Sequence, residues 1–339
     1  MVTTIAPHDP PVIWALLDDR AGNRSQVLGV AEALGQPYIE KHIAYRSLAK
    51  APNAVLGARL IGISQESQQN LTGPWPDVVI GAGRRIAPVA RWIKKQTSSN
   101  PILVQIMDPG GHRGDFDVLA IPSHDAWRSS KNDPADVVRF VGAPHRFTPD
   151  VLRAAEKAWS SAFADLPHPR IAVIVGGSTK RKTFTAGMAR SLGDTAKKWA
   201  RESGGSLFVT TSRRTSPGAT KALMASIGDI PAYVHQWGDD RANPYVGILA
   251  VADHIVVTGE SVSMCAEATS SGKPVSIFAP PALISAKHAR LHHALFAGRH
   301  AHPIEAGMSV EAGSRLDASQ GIVRVLQEIM VRRGLSNSA

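Results

Sequence analysis

Short apolar runs alternate with longer amphipathic stretches in the first half of the chain. Residues 12–18 (VIWALLD) form a continuous apolar run, and residues 23–34 then carry apolar side chains at helical spacing. Further runs of strand length lie at 77–83, 101–109, 116–122 and 136–143, and a helical pattern covers 86–96. Continuous apolar strands that alternate with helices are typical of a parallel sheet covered on both faces.

The second half of the chain repeats this pattern. It predicts strands at 170–177, 205–211, 232–237, 253–259 and 273–280, and helices at 184–202, 217–227, 245–252, 262–271, 286–297 and 321–333. We therefore predict an α/β fold with two Rossmann-like, doubly wound domains, 1–150 and 165–315, facing a cleft. The C-terminal stretch 316–339 is expected to pack on the first domain. A single large doubly wound domain is the alternative.

Composition and charge narrow the class of protein. The 339 residues include 38 Lys and Arg against 28 Asp and Glu, so the formal net charge is +10. Basic residues are scattered in pairs and aromatic residues make up only 6%, so no nucleic-acid partner is expected. Anionic small molecules and an anionic membrane surface remain open as partners. Cys265, the single cysteine, excludes a disulfide framework and a cysteine-built metal site.

Targeting signals are not apparent in the sequence. The first residues, MVTTIAPHDPP, lack the basic and apolar regions of an export signal. No apolar run reaches the ~18 residues that a membrane span needs. A cytoplasmic protein is expected, with peripheral contact to the inner membrane left open.

Residues 173–184 (VIVGGSTKRKTF) are the first candidate phosphate site. A predicted strand ends in Gly176, Gly177 and Ser178, and the cations Lys180 and Arg181 follow. Paired glycines allow close backbone approach, so amides, hydroxyls and cations can meet phosphate oxygens. The segment is neither a Walker loop nor a GxGxxG fingerprint. A tight turn with solvated lysines is the alternative interpretation.

Residues 256–278 are a second, more specific candidate. Ser261 begins a predicted helix whose N-terminus can face a diphosphate, and Ser263 and Glu267 share one face of that helix. A carboxylate one turn into the helix is well placed to accept two hydrogen bonds from a ribose diol. Arg213, with Arg214 beside it, ends another strand and offers forked donors for a phosphate. A capped helix with a surface glutamate, and a solvated arginine pair, are the alternatives.

Two polar turns in the first half are candidates for the acceptor side. The first follows strand 12–18 and contains Asp18, Asp19, Arg20, Gly22, Asn23 and Gln26. Such polar density can seat an acceptor or supply a base, although Asn23 as a helix cap is the simpler reading. The second turn carries His112 and Arg113 after a glycine pair, where a titratable histidine can act as a base or serve only the loop.

Several of these segments resemble the bacterial ELM1-like family, which takes its name from a plant mitochondrial-fission factor. The resemblance covers roughly residues 14–278 and is carried by IWALLDDRAGNRSQVLGVAEALG, PGGHRGDFDVLAIPSHD, VIVGGSTKRKTF and NPYVGILAVADHIVVTGESVSMCAEATSSGKPV. The family is similar to GT-B glycosyltransferases, which have two Rossmann-like domains. In those enzymes the C-terminal domain binds a nucleotide sugar and the N-terminal domain binds the acceptor.

The resemblance also implies roles for particular residues. Residues 258–274 look like the donor motif of the GT-B transferase that makes the lipid-linked peptidoglycan precursor. By position, Ser261 and Ser263 would meet the phosphates, Glu267 would meet the ribose, and residues 176–178 would face the diphosphate. The GGTGGH-type acceptor loop of that enzyme has no literal copy in the N-terminal half.

The resulting prediction is a metal-independent glycosyltransferase. It would move a sugar from a nucleotide-diphosphate donor to a cell-envelope or lipid-linked acceptor, with Asp19 or His112 as the acceptor base and no bound cofactor. Lys180, Arg181 and Arg213 would stabilise the leaving diphosphate together with backbone amides and a helix dipole. A non-hydrolysing nucleotide-sugar epimerase and a non-catalytic, membrane-associated adaptor are the alternatives.

Overall fold

A computed structural model describes residues 10–308 and 311–335 of the chain. Its strands are β1 (Ile13–Leu17), β2 (Ile39–His42), β3 (Val78–Ala82), β4 (Ile102–Ile106), β5 (Val118–Pro122), β6 (Asp136–Phe140), β7 (Arg170–Gly177), β8 (Ser206–Arg214), β9 (Ala232–His235), β10 (His254–Thr258), β11 (Val275–Phe278) and β12 (His302–Pro303). Its α-helices are α1 (Ala21–Ala33), α2 (Asn53–Leu56), α3 (Gln65–Gln69), α4 (Ala87–Gln96), α5 (Pro149–Trp159), α6 (Ala186–Ser203), α7 (Pro217–Ile227), α8 (Tyr245–Val251), α9 (Val262–Thr269), α10 (Ala286–Ala297) and α11 (Ala318–Arg332).

The chain divides into two compact units. Unit 1 comprises the chain up to Arg146 and resumes at Ala318, whereas unit 2 runs from Phe147 to Asp317. Helix α5, which lies between the two predicted domains, thus belongs to unit 2, and α11 belongs to unit 1. No helix in the described part of the chain is long and apolar enough to cross a bilayer.

Unit 1 contains a parallel sheet with the strand order β2-β1-β3-β4-β5-β6. On one face, Val27 of α1 and Leu326 of α11 share a core with Ile80 of β3. On the other face, Ile93 of α4 packs in a core with Trp14 of β1. Successive side chains of each strand therefore enter opposite cores, which explains the continuous apolar runs. The strand order reverses direction between β1 and β3.

Residues 36–76 hold one strand and two short α-helices that the apolar pattern does not predict. Strand β2 lies at the sheet edge and has the sequence IEKH, which is exposed or half-buried throughout. Helices α2 and α3 have only four and five residues, too few to show a helical period.

Helix α1 begins two residues earlier than its apolar pattern suggests, so Asn23 lies inside the first turn and does not cap it.

Unit 2 contains a second parallel sheet, with the order β12-β11-β10-β7-β8-β9. Leu192 of α6 and Leu223 of α7 are buried with Val173 of β7 in one core. The order changes direction between β7 and β10, as in the doubly wound order 3-2-1-4-5-6. The prediction of two Rossmann-like, doubly wound α/β units is confirmed.

Candidate functional site

The main candidate site lies where β7 and β10 end side by side in unit 2. In open parallel sheets, ligands bind beyond the carboxyl ends of the strands at the point where the strand order reverses. The Gly176 N–H at the end of β7 donates to Thr258 Oγ1 at the end of β10, at 2.8 Å. That hydroxyl in turn donates to Glu260 Oε1 at 3.2 Å. Hydrogen bonds thus join the two strand ends across the reversal point.

The glycine pair allows these groups to approach one another. A side chain at position 176 would collide with Glu260 Oε1 and with the guanidinium of Arg214. Gly177 has a φ of +101°, a conformation that favours glycine. The Ser178 N–H donates to the Arg214 carbonyl at 2.9 Å. The predicted glycine-rich turn is therefore built around Arg214 and Glu260.

Lys180 and Arg181, the two predicted cations of this turn, are both exposed. The turn that carries them is closed by the Lys182 N–H, which donates to Thr179 Oγ1 at 3.1 Å. Ser178 Oγ accepts a hydrogen bond from the Phe184 N–H at 3.0 Å, so this hydroxyl also holds the turn. Neither cation has a recorded ion pair with an acid in the described part of the chain.

Glu260 pairs with Arg214 in this site. The sequence named Arg214 only as the neighbour of Arg213 and gave Glu260 no role. Glu260 is only 3% exposed, and burial raises the pKa of its carboxyl group, against the lowering effect of nearby amides and Arg214. Arg214 Nη2 lies 3.6 Å from Glu260 Oε1, and its Nη1 donates to the Ser178 carbonyl at 3.2 Å. Arg213 is exposed. Arg214 is thus the arginine that reaches the glycine turn.

Helix α9 presents its N-terminus beside this pair. Ser261 occupies the N-cap position, but its hydroxyl makes no capping hydrogen bond and the residue is buried. Ser263 follows in the first turn and is half-buried. The first turn holds no acidic residue, so the helix dipole and the free amides are not neutralised from within the helix. This end of α9 suits an anion.

Glu267 lies one turn further along α9 and faces a cavity of about 460 Å³. The Tyr245 hydroxyl donates to Glu267 Oε2 at 2.6 Å. Burial raises the pKa of Glu267 to about 7, and the Tyr245 hydrogen bond acts in the opposite direction. Burial also raises the pKa of Tyr245, which therefore stays a neutral donor. The Glu267 carboxyl group therefore changes its charge near neutral pH.

Hydroxyl groups and aromatic rings line much of this cavity. They belong to Thr210, Thr211, Ser212, His235, Trp237 and Tyr245, and Asp239, Arg241 and Asn243 line it as well. Trp237 is 65% exposed, yet its backbone is fixed because its N–H donates to Thr211 Oγ1 at 2.9 Å. Asp239 forms an ion pair with Arg241, so the Glu267 carboxyl group is the second acid of the cavity. A flat exposed ring, several hydroxyls and this carboxyl group are together suited to a nucleoside.

The strand reversal in unit 1 gathers the first polar turn. Buried Asp18 accepts from the Arg20 N–H at 3.0 Å and from Asn23 Nδ2 at 2.9 Å. Arg85, which follows β3, places Nη2 2.5 Å from Asp19 Oδ1 and 3.6 Å from Asp18 Oδ2. Asp19 keeps 60% of its side chain exposed. An ion-paired carboxylate is therefore presented at the carboxyl edge of this sheet.

Gly22 and Gln26, which were also predicted on the acceptor side, lie within helix α1 and bond to each other. Gln26 Nε2 donates to the Gly22 carbonyl at 3.2 Å, one turn back along the helix. Gln26 Oε1 is buried without a hydrogen-bond partner. Gly22 and Gln26 thus lie in the first two turns of α1, behind the exposed Asp19 and Arg20.

The loop after β4 forms a separate hollow of about 710 Å³ in unit 1. His112 is exposed at its rim and has a φ of +53°, which is unusual outside glycine. Arg113 is fully engaged: it pairs with Asp108 at 2.8 Å and Asp133 at 3.3 Å, and it stacks on Trp127 at 3.7 Å. Of the two residues predicted in this loop, only His112 is free to meet a ligand.

The two parallel sheets form a fold of the GT-B type. The solved UDP-GlcNAc 2-epimerase of Methanocaldococcus jannaschii is similar in fold, with a TM-score of 0.51 and 12% identity over 94% of this chain and 99% of that one. A glycosyltransferase of Rickettsia africae matches 98% of this chain and all of its own, with a TM-score of 0.46 and 13% identity. The predicted GT-B-type fold is confirmed.

Sequence comparison identifies the family. The family model described as mitochondrial fission ELM1 matches residues 21–329, so the chain belongs to that family. An uncharacterised protein of Rickettsia prowazekii (strain Madrid E) is 34% identical over 304 residues, which cover 81% of this chain and 85% of that protein. The mitochondrial fission protein ELM1 of Arabidopsis thaliana is 32% identical over 242 residues. That match covers 66% of this chain and 56% of the plant protein.

Proposed function

We propose that unit 2 binds a nucleoside diphosphate sugar and that the protein transfers the sugar to an acceptor. The observation that carries this proposal is the continuity of two features in one unit. A strand end with Arg214, suited to an anion, is joined through helix α9 to Glu267 and its cavity. A cavity of about 460 Å³ lies within the range of small-molecule sites. The fold shared with a UDP-GlcNAc 2-epimerase favours a uridine nucleotide.

The nucleoside would occupy the cavity beside Glu267. Its ribose diol would donate both hydroxyl protons to the Glu267 carboxylate, and Tyr245 keeps that carboxylate in place. The base would stack on Trp237, whose exposed ring costs little to cover. The hydroxyls of Thr210, Thr211 and Ser212 would supply the directional contacts that select one base over another.

The diphosphate would lie between the glycine turn and helix α9. Backbone amides of Gly177 and the first turn of α9, with the Ser261 and Ser263 hydroxyls, would meet its oxygens. The Arg214 guanidinium is one-third exposed and would turn from Glu260 to the phosphates, with Lys180, Arg181 and Arg213 as further cations. Charge neutralised in this way supports departure of the diphosphate without a metal ion.

Acceptor chemistry is assigned to unit 1. A base there would take the proton of the acceptor hydroxyl as the new glycosidic bond forms. His112 and Asp19 are the two candidates, with Arg20 and Asn23 as acceptor contacts. We extend the proposal to a cell-envelope or lipid-linked acceptor, used in the cytoplasm at the surface of the inner membrane. The variants Asp19→Asn and His112→Gln distinguish the two candidates. The substitution that removes the base should lower kcat by about 10²- to 10⁴-fold, and donor affinity should stay unchanged.

A thermal-shift titration tests the donor site directly. The protein is titrated with UDP, GDP, CMP, ADP and dTDP in the presence of a metal chelator. A ligand at a hundredfold excess over Kd stabilises the folded state by about 2.7 kcal/mol. We expect a shift with UDP that is lost in Glu267→Ala and kept in Glu156→Ala, an exposed carboxylate of α5. No shift with any nucleotide would refute the proposal and favour the adaptor function.

An epimerase is the second candidate, because the solved protein of similar fold with a TM-score of 0.51 carries that name. The two reactions differ in their need for an acceptor. Incubation with UDP-GlcNAc alone should leave the sugar unchanged if the protein is a transferase. Formation of the 2-epimer without an acceptor would assign the epimerase reaction.

A further inference from the structure

Residues 46–61 of unit 1 combine exposed apolar side chains with unpaired positive charge. Leu48, Val55 and Ile61 are 55%, 63% and 43% exposed. Arg46, Lys50 and Arg59 are exposed among them, and no ion pair is recorded for these three cations in the described part of the chain. The sequence contains no Asp or Glu between Glu40 and Glu66. A surface of this composition is apolar and cationic at once.

This segment is held rigidly in place. The Arg46 N–H donates to the Gly62 carbonyl at 2.9 Å and the Ser64 N–H donates to the Ala44 carbonyl at 2.8 Å, so its two ends meet. Leu56 and Ala49 are buried beneath it. The backbone is thus fixed at both ends and by these two buried side chains, and it holds Leu48, Val55 and Ile61 at the surface.

The segment is fastened to the carboxyl edge of the unit 1 sheet. Arg84, which follows β3, donates through Nη1 to the Ala51 carbonyl at 2.6 Å and through Nη2 to the Lys50 carbonyl at 3.2 Å. Asn53 Nδ2 donates to the Pro109 carbonyl, beyond β4, at 2.5 Å. Residues 46–61 thus lie at the edge of the sheet that also carries Asp19 and the His112 loop.

We propose that residues 46–61 dock the protein on an anionic lipid bilayer. Apolar side chains that enter the headgroup boundary and cations that meet lipid phosphates act together in such binding. A second copy of the chain is a poor occupant, because a symmetric dimer would bring the same three cations against each other. The proposal concerns a surface of unit 1 only and does not depend on the donor chemistry of unit 2.

Vesicle co-sedimentation of the full-length protein tests the contribution of charge. Vesicles of phosphatidylcholine alone are compared with vesicles that contain 30% phosphatidylglycerol (about a third anionic lipid, as a starting composition). The triple variant Arg46→Gln, Lys50→Gln, Arg59→Gln should bind the anionic vesicles on the order of 100-fold more weakly. Wild-type binding should weaken with added salt, because these contacts are exposed.

A matched variant separates the surface from net charge. The control removes three exposed cations of unit 2 that likewise have no recorded ion pair, as Lys157→Gln, Arg190→Gln and Lys221→Gln. It has the same net charge as the first triple variant. Near-wild-type binding of the control is expected. An equal loss in both variants would show generic charge attraction and overturn the proposal.

A fluorescent label tests whether the apolar side chains enter the bilayer. Cys265 is buried, so Val55→Cys supplies an accessible thiol for an environment-sensitive dye. The emission of the dye should shift to shorter wavelength with anionic vesicles, while that of a dye on Gly218→Cys in α7 should not.

The double variant Leu48→Ser, Ile61→Ser tests the apolar side chains directly. It should bind vesicles more weakly, while its thermal melt stays near wild type. An unshifted dye at position 55, or wild-type binding after both serine substitutions, would refute docking. Concentration-dependent self-association without lipid binding would assign the surface to a second copy instead.

Discussion

Substitution of Glu267 by Gln should raise the stability of the folded protein and lower its affinity for a nucleoside. The Glu267 carboxyl lies beside the nucleoside cavity and has one recorded hydrogen-bond donor, the Tyr245 hydroxyl at 2.6 Å. Burial raises its pKa from 4.5 to about 7, so the native state binds this proton more tightly than the unfolded chain does. A carboxylate that only supported the fold would be better compensated by nearby donors and cations.

The pKa shift sets the size and the pH window of the effect on stability. Because the native pKa is the higher one, the stabilising contribution of this group is full below about pH 4.5 and is lost as pH rises through about 7. The loss amounts to about 3 kcal/mol as an upper limit. Glu267→Gln keeps the shape and cannot ionise. It should therefore raise Tm at pH 8 by several degrees, at roughly 2–4 °C per kcal/mol, and leave Tm at pH 4.5 unchanged.

The effect on binding has the opposite sign. The ionised carboxylate accepts two ribose hydroxyl protons, whereas the amide offers one oxygen and should lose about tenfold to a hundredfold in affinity. Uridine is the probe, because it has no phosphate that titrates between pH 5.5 and 8. Wild-type affinity should fall about tenfold from pH 8 to pH 6, and the variant should show a flat profile. Glu156→Gln is the control for both measurements.

Two results would refute this account of Glu267. A lower Tm for Glu267→Gln at pH 8 would mean that the carboxylate is a well-paired structural charge. A wild-type uridine affinity that does not vary between pH 5.5 and 8 would mean that its ionisation does not govern binding. Calorimetry and titration of the same two proteins at pH 4.5, 6 and 8 supply both tests.

Three further predictions concern the rest of the unit 2 site. Gly176→Ala should destabilise the protein by about 1–3 kcal/mol, because the added methyl group would collide with Glu260. Chemical denaturation measures this loss. The control is Gly218→Ala, which should be neutral or stabilising because position 218 has open space around it. Arg214→Ala should weaken UDP about tenfold to a hundredfold and leave uridine affinity unchanged, and equal losses for both ligands would contradict a phosphate role. Trp237→Ala should lower uridine affinity by about 1–3 kcal/mol with no change in Tm, since the ring is 65% exposed; a lower Tm would indicate a structural role.

The sequence predicts the layers of this fold well because each central strand is buried on both faces. Strands such as β1 and β3 therefore appear in the sequence as continuous apolar runs, because neither face of the strand carries polar side chains. The edge strand β2 shows the limit, since IEKH is exposed or half-buried along its whole length and carries no burial signal. Residues 46–61 escape prediction for a different reason, because their packing depends on hydrogen bonds of Arg84 and Asn53 with partners far away in sequence.

The choice between Arg213 and Arg214 shows why the site is harder to predict than the fold. Side chains alternate along a strand, so register alone decides which arginine reaches the glycine turn. Val175 pairs with Thr211, but Gly177 pairs with Arg214, so β8 contains one extra residue between these pairs. Without this bulge Gly177 would oppose Arg213, the residue favoured from the sequence. Bulges re-aim side chains next to functional sites, and nothing in the local sequence VTTSRRT distinguishes the two registers. In the observed register Arg214 lies beside the buried Glu260, whose carboxyl group also approaches Gly176. These contacts join residues that are far apart in the chain, so the local sequence does not reveal them.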